Sequence, residues 1–270
     1  TEQAPANLRC AMQHALLAPG KRLRPQLLYL IAEPNASLAD AALSLGCSIE
    51  MIHTASLVLD DLPCMDDAKT RRERPTTHLA YGQSTAILSA IALLTRAFGV
   101  IAELTDIPAD VRARLASVLS DAVGHNGLVA GQEIDLNGRN ELVGRDEIEK
   151  LNWLKTGALF VAAAEMGAIL RGLPSHRIEA VRRFATHLGL AFQTVDDLLD
   201  MTASAEEIGK DVLKDGNKAT LVSIFDAKRA RMSCRQHLDA AEIALLESGV
   251  TPAPIQAIIA KHFRATISAV

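Results

Sequence analysis

Aromatic residues make up only 3 % of this 270-residue chain, although hydrophobic residues of all kinds reach 49 %. A core of that composition has to be filled by Ala, Leu, Ile and Val, and Ala and Leu lead the helix propensities. No clear alternation of apolar and polar residues runs between Asn-Gly or Asp-Gly turns, which argues against a sheet-based fold. No Walker-type glycine loop is present, so nucleoside triphosphate binding is not expected. Excess positive charge is missing too: the net charge of −4 argues against nucleic acid as a general partner. The four cysteines, Cys10, Cys47, Cys64 and Cys234, form no C-x-x-C pair and fit reduced thiols in the cytoplasm.

There is also no low-complexity linker, long charge block or internal repeat, so residues 1–270 read as one domain. No basic-then-apolar leader follows Thr1, and no secretory signal is expected. Residues 75–95 are uncharged, but Thr76, Thr77, His78, Gly82, Gln83 and Ser84 make the stretch too polar for a membrane span.

Apolar residues recur at three- and four-residue spacing over 40–59, 84–104, 110–130, 146–171, 176–200 and 219–247. The expected fold class is all-α. Two of these runs end in carboxylates, Asp60-Asp61-Leu-Pro-Cys-Met-Asp66-Asp67 and Asp196-Asp197-Leu-Leu-Asp200. Carboxylates crowded at the end of an apolar helix repel unless cations neutralise them, and oxygen-only ligand sets suit Mg²⁺ shared with substrate phosphates. One acidic run at a helix end is more often a solvated turn. Two of them, accompanied by basic motifs, point to a diphosphate held through magnesium.

His53, Ser56 and Asp60 fall at i, i+3 and i+7, along one helical face that runs toward the carboxylates and would line a shaft. Pro63 disfavours helical backbone at Leu62, so the helix is expected to end near Asp61 and a short loop to return Asp66 toward Asp60. In the second run Gln193, Asp196 and Asp200 form one stripe, with Asp197 rotated away. Basic residues gather at Lys21, Arg22 and Arg24, at Arg71, Arg72 and Arg74, at Lys155, and at Lys210, Lys214 and Lys218. Guanidinium forks and ammonium groups are what would hold phosphate oxygens not on a metal. For Arg22, Arg74 and Lys214 a solvated surface role is the preferred reading.

With these motifs in order, the sequence is similar to the trans-isoprenyl diphosphate synthases. The stretch Leu57 to Gly82 (LVLDDLPCMDDAKTRRERPTTHLAYG) closely resembles bacterial carotenoid-pathway geranylgeranyl diphosphate synthases. The likeness runs from Pro19-Gly-Lys-Arg-Leu-Arg-Pro25 through Lys218-Ala-Thr220, about three quarters of the chain, and includes Lys155-Thr156-Gly157 and the F-Q-x-x-D-D-x-x-D run from Phe192.

The resemblance implies a single helical bundle around a deep central cavity, the isoprenoid synthase fold, and a homodimer to which 84–104 and 110–130 could contribute an interface. It implies about three Mg²⁺ ions, with Asp60 and Asp66 holding two, Asp196 a third, and Asp61, Asp197 and Asp200 in support. Arg71, Lys155, Lys210 and Lys218 would grip an allylic diphosphate. Lys21, Arg24, His53 and Arg72 would grip isopentenyl diphosphate, while Thr156 and Gln193 would turn oxygen dipoles toward an allylic cation. Ala55 lies five residues before Asp60, roughly 7–8 Å deeper along the helix. In farnesyl-making relatives that position is commonly aromatic, so small Ala55 and Ser56 imply a longer, C20 product, with Met51 and residues of 84–104 as candidate floors.

Three departures from the family pattern are visible. Glu73 stands where glycine is usual after Arg71-Arg72, Asn217 stands where glycine is usual before Lys218, and Ser89-Ala-Ile-Ala-Leu-Leu94 lacks the acidic residue common there. Competing readings are a farnesyl diphosphate synthase, a class I terpene cyclase and a non-catalytic partner subunit of a synthase. A cyclase has no use for the second diphosphate site that Lys21, Arg24 and His53 would make, and a silent subunit has no use for two intact acidic motifs.

Overall fold

The computed structural model describes residues 4–33, 35–138, 145–202 and 227–264. Helices α1 (Ala6–Leu16), α2 (Leu23–Ala32) and α3 (Ala39–Asp60) lead into a hairpin of two short strands, β1 (Thr70–Arg71) and β2 (Arg74–Pro75). Then come α4 (Thr77–Tyr81), α5 (Gln83–Ala102), α6 (Ala109–Val123), α7 (Leu128–Glu133), α8 (Arg145–Asn152), α9 (Ala158–Leu170), α10 (Ser175–Thr202), α11 (Ala227–Ser248) and α12 (Pro252–Ile259). The fold is all-α, and its only strands among the described residues are the two of the hairpin.

Two expected helices are interrupted, and both breaks matter for the site. The run 110–130 breaks at Gly124, whose extended backbone (φ −71°, ψ −157°) ends α6 before α7 begins. The run 146–171 widens into one π-helical turn, Trp153–Gly157, between α8 and α9. Such turns often occur inside α-helices at functional positions. Here the widened turn carries Lys155 and Thr156.

Helix α9 is apolar all round and buried along nearly its whole length, as a helix at the centre of a bundle should be. It packs against α2, α3, α6 and α10. Its one buried acid, Glu165, accepts two hydrogen bonds from Arg182 of α10, at 2.6 and 2.7 Å, which neutralises the charge inside the wall. A smaller cluster fills the seam between α3 and α5, where Ala55, Val58 and Leu62 meet Ala86, Ala90 and Leu93.

Among the described residues, three helical segments are long and apolar enough to cross a membrane by length and composition: α3, α5 and Glu147–Leu170. The apolar windows of α3 and Glu147–Leu170 are mostly buried within the fold, whereas two thirds of the α5 window is not, and Ile87, Leu88 and Ile91 lie exposed along it.

The hairpin turn explains the unusual Glu73. Arg71 pairs with Arg74, leaving Arg72 and Glu73 as a two-residue connection with φ of 54° and 63°. Positive φ at both central residues is the geometry of a type I′ turn, which favours Asn-Gly because a Cβ is crowded there. Glu73→Gly should therefore raise stability by about 1 kcal/mol, seen as a higher urea midpoint, since relief of the left-handed strain exceeds glycine's added unfolded-state entropy.

Candidate active site

Helix α3 ends where expected, at Asp60, and Asp61 caps it, its amide donating to Leu57 O at 3.1 Å. Pro63 lies in a tight loop that folds back, so that the Asp66 amide donates to Asp60 O at 2.9 Å and the Asp67 amide to Leu62 O at 3.0 Å. Asp60 and Asp66 are thereby brought together by backbone geometry. Burial pushes the Asp60 carboxyl up to about 6, Lys155 pulls it back down, and Asp66 raises it further. A carboxylate held so reluctantly in its charged form is suited to a cation.

Asp61 is placed differently. It is 2 % exposed, and its Oδ1 accepts hydrogen bonds from Arg71 Nε (3.0 Å) and Nη2 (2.6 Å). Asp61 and Arg71, which the resemblance assigns to support of the metal and to the allylic diphosphate, are paired with each other here. The reason is the 100° step between adjacent helical residues, which turns Asp61 away from Asp60 toward the hairpin.

The site opens on a cavity of about 330 Å³. His53, Ser56 and Asp60 all line it, as do Arg24, Ile52 and Leu59, with Leu94 of α5 and Val123 of α6 opposite. Lys155 and Thr156 line it from the π-helical turn. Two glycines put them there. A Cβ on Gly131 would stand 2.6 Å from Lys155 N, and one on Gly189 would stand 2.9 Å from Gly157 Cα, so only glycine lets α7 and α10 press onto this turn. One turn beyond each glycine is a residue that fixes the turn's side chains. Asp135, 4 % exposed, forms an ion pair with Lys155, and Gln193 Oε1 accepts from Thr156 Oγ1 at 2.9 Å. Asp135 was missed in the sequence; the available signal was Gly131-Gln132-Glu133-Ile134-Asp135, a glycine one helical turn before an acid.

The remaining cations form a second group. Arg24 stacks its Cζ 4.4 Å from the Phe160 ring centroid, and Lys21 Nζ lies 5.6 Å from that of Phe192. Such placements stabilise a cation while leaving it reachable. His53 lies among Arg24, Arg72, Arg71 and Arg22, and burial followed by those charges holds its imidazole well below the usual range, so it is neutral at pH 7 in the unliganded chain. Arg22 is not the solvated surface residue expected. It is half-buried, paired with Glu50 and donating to Leu16 O and Ala18 O at 2.8 and 2.5 Å. Arg74 is exposed on β2, as expected.

The chain-length residues separate onto two faces. Ser56 lines the cavity, but Ala55 is 1 % exposed and packed in the α3–α5 seam, and Met51 bridges that seam and the main core. Along α3 one residue's rotation separates Ala55 in the seam from Ser56 on the cavity wall. Asp196, Asp197 and Asp200 lie on the last turns of α10, with their side chains outside the described set. Lys210, Lys214, Asn217 and Lys218 lie outside the described residues.

With this geometry in hand, likeness to known proteins can be placed. The chain belongs to the polyprenyl synthetase family, whose profile matches residues 5–243. It is 44 % identical over 233 residues to the geranylgeranyl diphosphate synthase of Pantoea ananas, covering 86 % of this chain and 76 % of that one. It is 39 % identical over 257 residues to the farnesyl diphosphate synthase of Geobacillus stearothermophilus, covering 94 % and 86 %. The solved geranyltransferase from Helicobacter pylori, complexed with magnesium and isoprenyl diphosphate, superposes with a TM-score of 0.81 at 27 % identity, covering all of this chain and 89 % of that one.

Asp60 and Asp66 fit magnesium, being hard oxygen donors brought side by side, and burial and the neighbouring Asp66 charge make Asp60 reluctant to stay ionised without a cation.

The raised Asp60 carboxyl has a consequence for metal-free stability. An acid whose folded pKa lies above its unfolded value of 3.8 contributes stability that is fully present below that value and lost as the pH rises through about 6. Without metal, Asp60→Asn should therefore be more stable than the unaltered chain at pH 7, by up to about 3 kcal/mol, with the difference vanishing below about pH 4. Urea midpoints measured in chelator across that range would show it.

Proposed function

We propose that this chain is a magnesium-dependent trans-prenyltransferase that condenses isopentenyl diphosphate with allylic diphosphates, up to farnesyl diphosphate, to give geranylgeranyl diphosphate. The observation that carries the reading is a single cavity with Asp60 and Lys155 at its charged end and Ile52, Leu94, Val123, Leu128 and Leu159 along its wall. That arrangement suits a molecule with a diphosphate head and a hydrocarbon tail. The family, and the identity to synthases of this kind, support it.

Magnesium, about three ions, would sit on Asp60 and Asp66 from one side and Asp196 from the other, and would stabilise the departing diphosphate. Lys155, aimed by Asp135, adds a fixed positive charge at the same end. The Thr156 hydroxyl donates a hydrogen bond to Gln193, so its oxygen lone pairs stay available to an allylic cation. Lys21, Arg24, Arg72 and neutral His53 hold the second diphosphate, so that the isopentenyl double bond attacks in a prepared geometry. The apolar wall keeps water from the cation. Lys210 and Lys218 would complete the allylic grip.

Product length follows from α3. Ser56 is small and on the wall, so a tail can pass it toward Leu94, Val123 and Leu128. A C15 product is the second reading, favoured by the 39 % identity to a farnesyl diphosphate synthase. The chain is read as a cytoplasmic homodimer, with Ile87, Leu88 and Ile91 of α5 meeting a second copy instead of lipid.

Incubation with isopentenyl diphosphate, each allylic primer and Mg²⁺, followed by mass analysis, tests the reading; C20 is the expected main product, and no incorporation refutes it. Asp60→Ala or Asp196→Ala should lower turnover by orders of magnitude, on the order of 100-fold or more, with helicity retained on circular dichroism. Ser56→Phe should shift the product toward C15 while first-step turnover persists. Ala55→Phe should instead disturb the α3–α5 seam and lower the urea midpoint, by about 1–3 kcal/mol.

A further inference from the structure

The segment joining α1 to α2 and the turn of the hairpin meet at one buried carboxylate. Glu50, at the middle of α3, is 7 % exposed. It is paired with Arg22 and has Arg72 Nη2 at 3.8 Å. Arg22 also ties down the carbonyls at the end of α1, so Glu50 is clamped from that side. The Arg72 guanidinium also lies close to the bare backbone of Gly20. A Cβ on Gly20 would stand 2.9 Å from Arg72 Cζ and 3.0 and 3.1 Å from its two terminal nitrogens. Arg72 leaves a turn at φ 54°, so neither its backbone nor its long side chain would aim the fork without these two contacts. Glu50, Gly20 and Arg72 all lie behind the cavity wall that Arg24 and His53 line, and Arg72 shares a smaller pocket with Arg71 and Asp61.

We infer that Glu50 and Gly20 are positioning residues for Arg72, seating its guanidinium between a clamped carboxylate and a bare backbone so that it meets the isopentenyl diphosphate head in a fixed orientation. The inference rests on the reading above that Arg72 belongs to the isopentenyl site. A carboxylate among arginines has two possible uses, and they differ in sign. As a plain counterion, Glu50 weakens anion binding, and its removal tightens it. As a positioning group it strengthens binding, because a misdirected fork loses its paired hydrogen bonds.

Gly20→Ala and Glu50→Gln in the full chain separate these cases. Gly20→Ala leaves the fold intact, since its Cβ displaces only the free end of a side chain, and it decides the matter alone if Glu50→Gln fails to fold. Steady-state kinetics with each substrate varied, and calorimetric titration of isopentenyl diphosphate in chelator, give the readouts. Both variants are expected to raise the isopentenyl diphosphate KM and Kd about tenfold or more, with the allylic KM and kcat at saturation changed by less than about twofold. An unchanged or lowered isopentenyl KM, or an equal rise for both substrates, overturns the positioning role. If the unaltered chain neither binds nor consumes isopentenyl diphosphate, the function itself falls and this role with it; if it does both and the variants match it, only the positioning role falls.

Discussion

Two neighbouring carboxylates set into the edge of an apolar cavity cannot both keep their charge unless something positive stands close by, and most of the site is organised around that constraint. Asp60 is held partly buried by α3, and Asp66 is returned beside it by the loop after Pro63. Water is too restricted there to solvate two like charges. Lys155 supplies the nearest fixed positive charge, and Asp135 in turn holds Lys155 in place. Asp61 would make the repulsion worse, but Arg71 takes it up and turns it into the anchor of the hairpin.

The same logic extends to the site's other cations among the described residues. Lys155 is fixed by Asp135, Arg71 by Asp61, Arg72 by Glu50 and Gly20, Arg24 by the Phe160 face and Lys21 by that of Phe192. Long flexible side chains normally lose conformational entropy when they grip a ligand. Here these partners already restrict the side chains, so diphosphates would meet charges aimed in advance, which is the arrangement that favours catalysis over simple binding. His53 stays neutral in the middle of this group because burial, and then the surrounding guanidinium charges, disfavour a further positive charge there.

Backbone packing provides the precision. The π-helical turn between α8 and α9 is squeezed by α7 at Gly131 and by α10 at Gly189, and the residues one turn further on, Asp135 and Gln193, catch Lys155 and Thr156. A methyl group at either glycine would separate helices whose contact sets the positions of two functional side chains. The widened turn is also where a plain helical pattern from 146 to 171 fails, a local irregularity at the point where function needs it.

Much of this was legible in the chain itself. The helical class followed from an Ala- and Leu-rich core with three- and four-residue spacing, the end of α3 from Pro63, and the shared face of His53, Ser56 and Asp60 from helical periodicity, because all three are rules about neighbours within one segment. The left-handed turn at Glu73 was legible as well, from the glycine usually found there. What the tertiary structure decided was partnership. Asp61 went to Arg71, Arg22 left the surface for Glu50, Asp135 entered the site, and Ala55 turned into a packing seam while Ser56 took the cavity wall. The sequence by itself determined which groups the site has and which lie on one helical face; only the packing of separate helices decided which charge faces which, because each residue's 100° step around a helix has no meaning until a neighbour occupies that direction.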